Sequence, residues 1–322
     1  MTERFLLTGG AGFIGSHVLR ALLDRGAHVT VVDDFNDYYD PDVKRRNLVE
    51  ATGDDGDRVT LIRADIRGDL WSDLDPRGWT AVLHIAARAG VRPSFHEPQL
   101  YASTNVEATR KVLEWCSRGS TPLVFASSSS VYGDANEVPY REDCTPDPRS
   151  PYAQTKVDAE ALLESFRDRV PSVALRFFTV YGPRQRPDLA IHLFAREIDA
   201  GRPIPVFGDG SMARDYTHVR DVVAGGMAAL DGLLEGTLQH TVYNLGSDRA
   251  VRLDAMIAAV EVAVGKPAVI DRRDVPRGDV KRTWADLSRS GEDLGYAPSL
   301  RFEEGLADFV AWMRGESAGG PV

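Results

Sequence analysis

The chain has 322 residues, of which 43% are hydrophobic and 27% charged, an ordinary balance that excludes a disordered or fibrous protein. Lys and Arg number 38 against 48 Asp and Glu, a formal net charge of −10 that argues against a dedicated nucleic-acid binder. No run of about 18 apolar residues occurs, so no membrane span is expected, and the two cysteines, Cys116 and Cys144, read as reduced thiols of a cytoplasmic protein rather than as one disulfide.

In chain order, short apolar runs alternate with helical patterns. A first strand-like segment at residues 4–8 begins at once and leaves no room for a signal peptide. Buried strands are predicted at 5–7, 29–32, 59–62, 81–85, 123–126 and 173–178, with helices at 14–25, 98–117 and 151–169 between them. Strand and helix in alternation predict an α/β fold: a Rossmann-type, doubly wound parallel sheet covered on both faces. Beyond residue 180 the pattern breaks at Pro183, Pro187, Pro203 and Pro205. Shorter elements follow: a helix at 253–264, a strand at 268–271, and helices at 287–294 and 303–313. The expected organisation is a dinucleotide-binding domain over 1–179, with part of 214–246 returning to it. A smaller α/β substrate domain is expected from 180–213 and 247–315, and a frayed tail over 316–322.

Thr8-Gly9-Gly10-Ala11-Gly12-Phe13-Ile14-Gly15 joins the first strand to the first helix. Gly9, Gly12 and Gly15 have the spacing of a dinucleotide site: a sharp turn, a close backbone approach to pyrophosphate, and tight packing of helix on sheet. Asp33 ends the second strand, 18 residues past Gly15. A carboxylate there accepts both ribose hydroxyls and repels a 2′-phosphate, which favours NAD over NADP, and Asp34 could share the role. Asp65, after the third strand, could meet the adenine amino group or cap a helix.

Tyr152 and Lys156 stand at i and i+4, on one helix face. With 10 tyrosines and five lysines in the chain, chance gives roughly 0.16 such pairs. A phenol titrates near 10, too high for a base at neutral pH. Lowering it by about three pH units takes about 4 kcal/mol, which a lysine ammonium and a positive nicotinamide ring could supply in a dry site. Ser127 to Ser130 follow the fifth strand, where a hydroxyl can bond the reacting oxygen. None of the seven histidines has metal-ligand spacing, so no metal is expected, and His84 reads as structural.

Together, Gly9/Gly12/Gly15, the Ser128 segment and Tyr152/Lys156 resemble the extended short-chain dehydrogenase/reductase family of nucleotide-sugar enzymes, over nearly the whole chain. Within that family the chain is most similar to UDP-glucuronate 4-epimerases. The likeness is carried by Asp34-Phe35-Asn36-Asp37-Tyr38-Tyr39-Asp40-Pro41, Ala89-Gly90-Val91-Arg92, residues 127–133, residues 176–183 and Arg186-Pro187-Asp188-Leu189-Ala190. The resemblance implies Ser128, Tyr152 and Lys156 as the catalytic triad. It implies cofactor contacts from Phe13, Ile14, Asn36, Ile66, Ala86, Ala87, Arg88 and Asn105, with Phe177 and Phe178 along the nicotinamide. For the substrate it implies Val206 and Phe207 at the uracil, Arg214 at the diphosphate and Asp279 at the uridine ribose. Arg92, Arg186, Ser129, Ser130 and Thr179 belong to the same substrate set, and Arg277, one residue later than in many relatives, could still reach the phosphates.

Related 4,6-dehydratases carry an Asp-Glu pair where this chain has Ser129 and Ser130, and related decarboxylases usually a Glu at the Ser130 position. The implied activity is therefore C4 epimerisation of UDP-glucuronate without decarboxylation, with NAD retained. Hydroxyls from Ser129, Ser130 and Thr179 could hold a C6 carboxylate from either ring face. The alternatives are a 4-epimerase of neutral UDP-sugars such as UDP-glucose or UDP-N-acetylglucosamine, a net dehydrogenase or 4-keto reductase, and a non-catalytic dinucleotide sensor. The resemblance also implies a homodimer, built from the helices at 98–117 and 151–169.

Overall fold

The computed structural model describes residues 2–134, 137–275 and 279–315. The first half runs β1 (Arg4–Thr8), α1 (Phe13–Asp24), β2 (His28–Asp33), α2 (Pro41–Thr52), β3 (Val59–Arg63), α3 (Leu70–Asp73) and β4 (Ala81–His84). Then come α4 (Val91–Ser94), α5 (Pro98–Ala102), α6 (Ala108–Gly119), β5 (Leu123–Ser128), α7 (Pro151–Ser165) and β6 (Ser172–Phe177). The remainder is β7 (Thr179–Tyr181), α8 (Ala190–Asp199), β8 (Pro203–Phe207), β9 (Ala213–His218), α9 (Val219–Glu235), β10 (Val242–Leu245), β11 (Ala250–Arg252), α10 (Leu253–Val264), β12 (Val269–Arg273), α11 (Ser288–Leu294) and α12 (Phe302–Met313).

Among the described residues, the main sheet has seven parallel strands in the order β10-β6-β5-β4-β1-β2-β3. This is the expected doubly wound sheet with one strand more. β10 pairs with β6 across about 70 residues of sequence, and α9 packs back onto α1 and β6. Both faces are dry because side chains alternate along each strand. Phe5 and Leu7 of β1 join Leu19, Leu22 and Leu230 on one face, whereas Leu6 joins Leu113, Trp115 and Phe125 on the other.

Three of the predicted elements differ from the sequence reading. The expected helix at 98–117 is interrupted by a π-helical turn at Ser103–Glu107, which turns the buried Asn105 toward β4's loop. The helix at 151–169 ends at Ser165, one cap residue short of the turn leading to Pro171. β3 is an edge strand, not a buried one: Thr60 faces solvent and Leu61 is 45% exposed. Cys116 and Cys144 are both free thiols.

The smaller layer packs α8, α10 and α12 around a separate core of Ile191, Phe194, Met256, Val260, Leu306 and Phe309. It carries a three-stranded sheet, β11-β9-β7, and a parallel pair, β12-β8. The two layers meet above the carboxyl ends of β1, β4, β5 and β6, where open α/β sheets bind ligands.

Candidate active site

The glycine loop between β1 and α1 requires its glycines. Gly9 has φ +73°, and a Cβ there would lie 2.8 Å from the Ala86 backbone. A Cβ on Gly15 would come within 2.0 Å of the Gly9 carbonyl oxygen, so no other residue lets α1 approach β1 this closely. Gly12 caps α1 with no side-chain bond, leaving first-turn N–H groups at Phe13 and Ile14 open to the cleft. This is a cradle for an anion.

Asp33 is buried at the end of β2 and accepts from the Ala11 N–H (3.1 Å) and the Phe35 N–H (2.9 Å). Burial raises its pKa; the Phe35 bond and the Lys44 ammonium pull it down. Asp34 accepts from the backbone and side-chain amides of Asn36 at 2.9 and 2.7 Å. Asp65 accepts from the Arg67 N–H and pairs with its guanidinium at 2.6 Å, which holds its pKa below the usual range. No helix starts there, so the capping alternative falls away: α3 begins only at Leu70. Asn105 donates to the Arg88 carbonyl and to Thr155 Oγ1, and accepts from the Arg88 N–H. It thereby ties the Ala86-Ala87-Arg88 loop to α7. Asp33, Asp34, Asp65 and Arg67, but not Asn105, line one cleft with Gly9, Gly12, Phe13, Ile14, Gly15, Asn36, Ile66, Ala86, Ala87, Arg88, Tyr152 and Lys156.

The sequence reading missed Lys44 in this cleft. Its ammonium donates to the Asn36 carbonyl at 2.8 Å and lies 4.9 Å from the Tyr39 ring centroid. Its signal was a lone lysine one turn into α2, just past the Asn36–Pro41 motif.

Ser150 caps α7 by accepting from the Ala153 N–H, and Pro151 fills the first helical position. Tyr152 is thus aimed from the first turn of α7 at the end of β5, in the same cleft as Ser128. Burial pushes the Tyr152 pKa up; the Ser128 hydroxyl and the Arg186 charge oppose it. Lys156 is 3% exposed and donates to the Ala126 carbonyl at 2.6 Å. Burial lowers its pKa to about 8, against the pull of Glu160. Its ammonium lies 5.9 Å from the Tyr152 ring centroid. Lys156 is thus anchored by a backbone carbonyl beneath the Tyr152 ring, and the Arg186 charge, which the sequence reading did not count, also draws the phenol down.

A second cleft opens from Tyr152 toward the smaller layer. Ser128, Ser129, Ser130, Phe177, Phe178, Thr179, Arg186, Arg214 and Asp279 line it. Ser130 Oγ is buried there without a hydrogen-bond partner. Arg186 grips Asp188 with a two-pronged pair at 3.0 and 2.9 Å and borders all three connected clefts. Farther out, Arg92 donates to Asp279 at 2.9 Å and lays its guanidinium 4.2 Å from the Phe207 ring centroid. Arg214 donates to the Ala213 carbonyl next to it.

One expected substrate residue lies elsewhere. Val206 is 1% exposed in the core of the smaller layer, because successive residues of β8 face opposite ways. Pro205 and Phe207 line the cleft instead. Arg277 lies outside the described residues. His84 is bonded on both ring nitrogens, to Thr8 at 2.7 Å and Thr109 at 3.0 Å. Burial lowers its pKa to about 3, in line with a structural role. Among the described residues, no three His, Cys, Asp or Glu side chains converge as a metal site. None of the helices there is long and apolar enough to cross a membrane.

A glycine cradle at a helix N-terminus, an acidic strand end and a Ser–Tyr–Lys set at the sheet's carboxyl edge define a dinucleotide-dependent enzyme of the short-chain dehydrogenase/reductase type. The chain belongs to the NAD dependent epimerase/dehydratase family, whose match spans residues 5–246. It is 37% identical to UDP-glucuronate 4-epimerase 3 of Arabidopsis thaliana, over 98% of this chain and 77% of that one. It is 34% identical to a probable UDP-glucuronate 4-epimerase of Rhizobium meliloti (strain 1021), over 96% of each. The UDP-glucuronic acid 4-epimerase of Bacillus cereus, solved with UDP-glucuronic acid and NAD, superimposes with a TM-score of 0.89 at 34% identity, covering 97% of this chain and 99% of that one.

Proposed function

We propose that this protein interconverts UDP-glucuronate and UDP-galacturonate by NAD-dependent epimerisation at C4. The observation that carries this reading is the row of hydroxyls, Ser128, Ser129, Ser130 and Thr179, beside Tyr152, with no carboxylate among them. A C6 carboxylate can be bonded by such a row on either ring face, and no side chain at the Ser129 and Ser130 positions can serve the acid and base steps of a dehydratase. NAD fits the first cleft, because the glycine cradle admits a diphosphate and the Asp33 and Asp34 carboxylates suit unphosphorylated ribose. Bound there, NAD would supply the hydride acceptor, and then the hydride donor, for C4. Tyr152 takes the 4-hydroxyl proton and later gives it back, with Ser128 bonding the same oxygen. Lys156 holds positive charge beneath the phenol. Arg186 closes the sugar compartment at the side of Tyr38.

In this reading Gly9, Gly12, Phe13, Ile14, Gly15, Asp33, Asp34, Asn36, Asp65, Ile66, Ala86, Ala87, Arg88, Asn105 and Phe178 hold the cofactor. Arg92, Arg186, Phe207, Arg214 and Asp279 hold the nucleotide and sugar. Residues 1–179, with 214–246, form the cofactor domain, and 180–213 with 247–315 the substrate domain. The protein works as a cytoplasmic homodimer joined through α5, α6 and α7, consistent with its unpaired cysteines and with the adjacency of those helices.

The test is incubation of purified protein with UDP-glucuronate and no added NAD, followed by NMR of the sugar C4 proton. UDP-galacturonate is the expected product. Carbon dioxide release, or turnover of UDP-glucose alone, would overturn the substrate assignment.

A further inference from the structure

Behind the reacting groups lies a charged side chain that the mechanism above does not use. Glu160 stands one turn past Lys156 on α7, at the third step of the Tyr152, Lys156, Glu160 ladder. Its side chain is 12% exposed. One carboxylate oxygen accepts from Ser127 Oγ and from Arg176 Nε (3.0 Å), the other from Arg176 Nη2 (2.7 Å). Arg176, on β6, is 5% exposed and spends its remaining nitrogen on the Tyr132 hydroxyl (2.9 Å) and the Glu142 carbonyl (3.1 Å).

The end of β5 is therefore held residue by residue from α7. Lys156 takes the Ala126 carbonyl, Glu160 takes the Ser127 hydroxyl, and Ser128 is left opposite Tyr152. We propose that Glu160, locked by Arg176, is a positioning residue for the epimerisation, setting both the register of Ser128 against Tyr152 and the charge on the neighbouring Lys156. The proposal rests on the catalytic reading of Tyr152 and Lys156 given above.

The electrostatics agree. Burial drags the Lys156 pKa to about 8, and Glu160 is the one group opposing it. The other charged or titratable groups around the lysine cannot replace Glu160. His84, on β4, is held neutral by burial, with its pKa near 3. Tyr132, beyond β5, is a phenol pushed up by burial. Arg176 on β6 is a cation, and Tyr152 lies on the same helix face. Glu142 is buried, bonded to the Asn244 N–H and faced by Arg289 at 3.8 Å. Without the Glu160 charge, the Lys156 ammonium would lose its proton at a lower pH, and support for the tyrosine phenolate would go with it.

The test uses the holoenzyme carrying Glu160→Gln, the double change Glu160→Gln with Arg176→Gln, and Ser127→Ala. The double variant removes the ion pair as a unit, so neither Glu160 nor Arg176 leaves its partner as an unpaired buried charge, and Ser127→Ala leaves the ion pair untouched. Lys156 is titrated by side-chain NMR of 15N-lysine-labelled protein, tractable with five lysines and assigned with Lys156→Arg. The pH profile of kcat is measured alongside. Expected results are a Lys156 titration moved to lower pH in both Glu160 variants, the alkaline limb of kcat moving with it, and kcat at neutral pH down about tenfold or more at nearly unchanged KM. Ser127→Ala is expected to lower kcat a few-fold without moving the lysine titration. Unmoved titration and pH limb in folded Glu160 variants, or wild-type kcat in Ser127→Ala, would overturn the proposal. Because the lysine titration needs no substrate, it judges Glu160 even if UDP-glucuronate proves not to be turned over.

Discussion

The floor of the site and its outer mouth are built on opposite principles. At the floor, Ser127, Lys156 and Arg176 are each less than a tenth exposed and each held by a directed hydrogen bond to a neighbouring element. At the mouth, Arg92 leans on Phe207 and Asp279 with its side chain 47% exposed, and the nearby β12 is exposed along its whole length. Buried charges are costly unless they are paired or hydrogen-bonded, so the directed bonds at the floor leave it essentially one arrangement. Exposed pairs are screened and worth little, so the mouth can rearrange around a nucleotide at small cost. A ring that must turn over between two hydride faces needs both: fixed reacting groups below, and an adaptable grip above.

Breaking the floor should have the largest effect. Tyr152→Phe removes the proton acceptor and should cost about 10³-fold in kcat, with retained fold and retained NAD absorbance in the purified protein. Asp33→Asn comes next. Loss of a charged acceptor for the ribose should weaken NAD binding about ten- to hundredfold, measured by calorimetry on stripped protein. The pH dependence sharpens that point. Burial raises the Asp33 pKa, so this carboxylate takes up a proton at a higher pH than an ordinary aspartate. NAD affinity should therefore fall on acidification before the usual carboxylate range is reached, and Asp33→Asn should flatten the dependence. Thr179→Val should reduce the preference for UDP-glucuronate over UDP-glucose by about tenfold in kcat/KM; an unchanged preference would remove the hydroxyl row as its source. The mouth should respond least: Arg92→Ala should raise KM for UDP-glucuronate by no more than about fivefold, with kcat intact.

Much of the site was legible in order of its locality. Gly9, Gly12 and Gly15 are readable because a turn, an anion cradle and a close helix demand glycine within eight residues. Tyr152 and Lys156 are readable because helical spacing alone puts them on one face. Val206 and Phe207 were not separable, since every residue of Pro203–Phe207 except the turn-favouring prolines is apolar and the strand's phase is set by its neighbours. Glu160 was invisible for a related reason: a glutamate on a helix is ordinarily a solvated charge, and only the packing of β6 against β5 gives it Arg176.

What the chain alone determined was the alternation of strands and helices, the glycine cradle, the acidic end of β2 and the Tyr–Lys step, all consequences of backbone periodicity and short-range sterics. The tertiary structure decided what depends on closing long loops. β10 joins the sheet beside β6, Arg92 meets Asp279 across 187 residues, and Arg186 is drawn in to add its charge to the surroundings of Tyr152. Such pairings are chosen by burial and by the need to satisfy each buried charge, and those requirements exist only once the layers have packed.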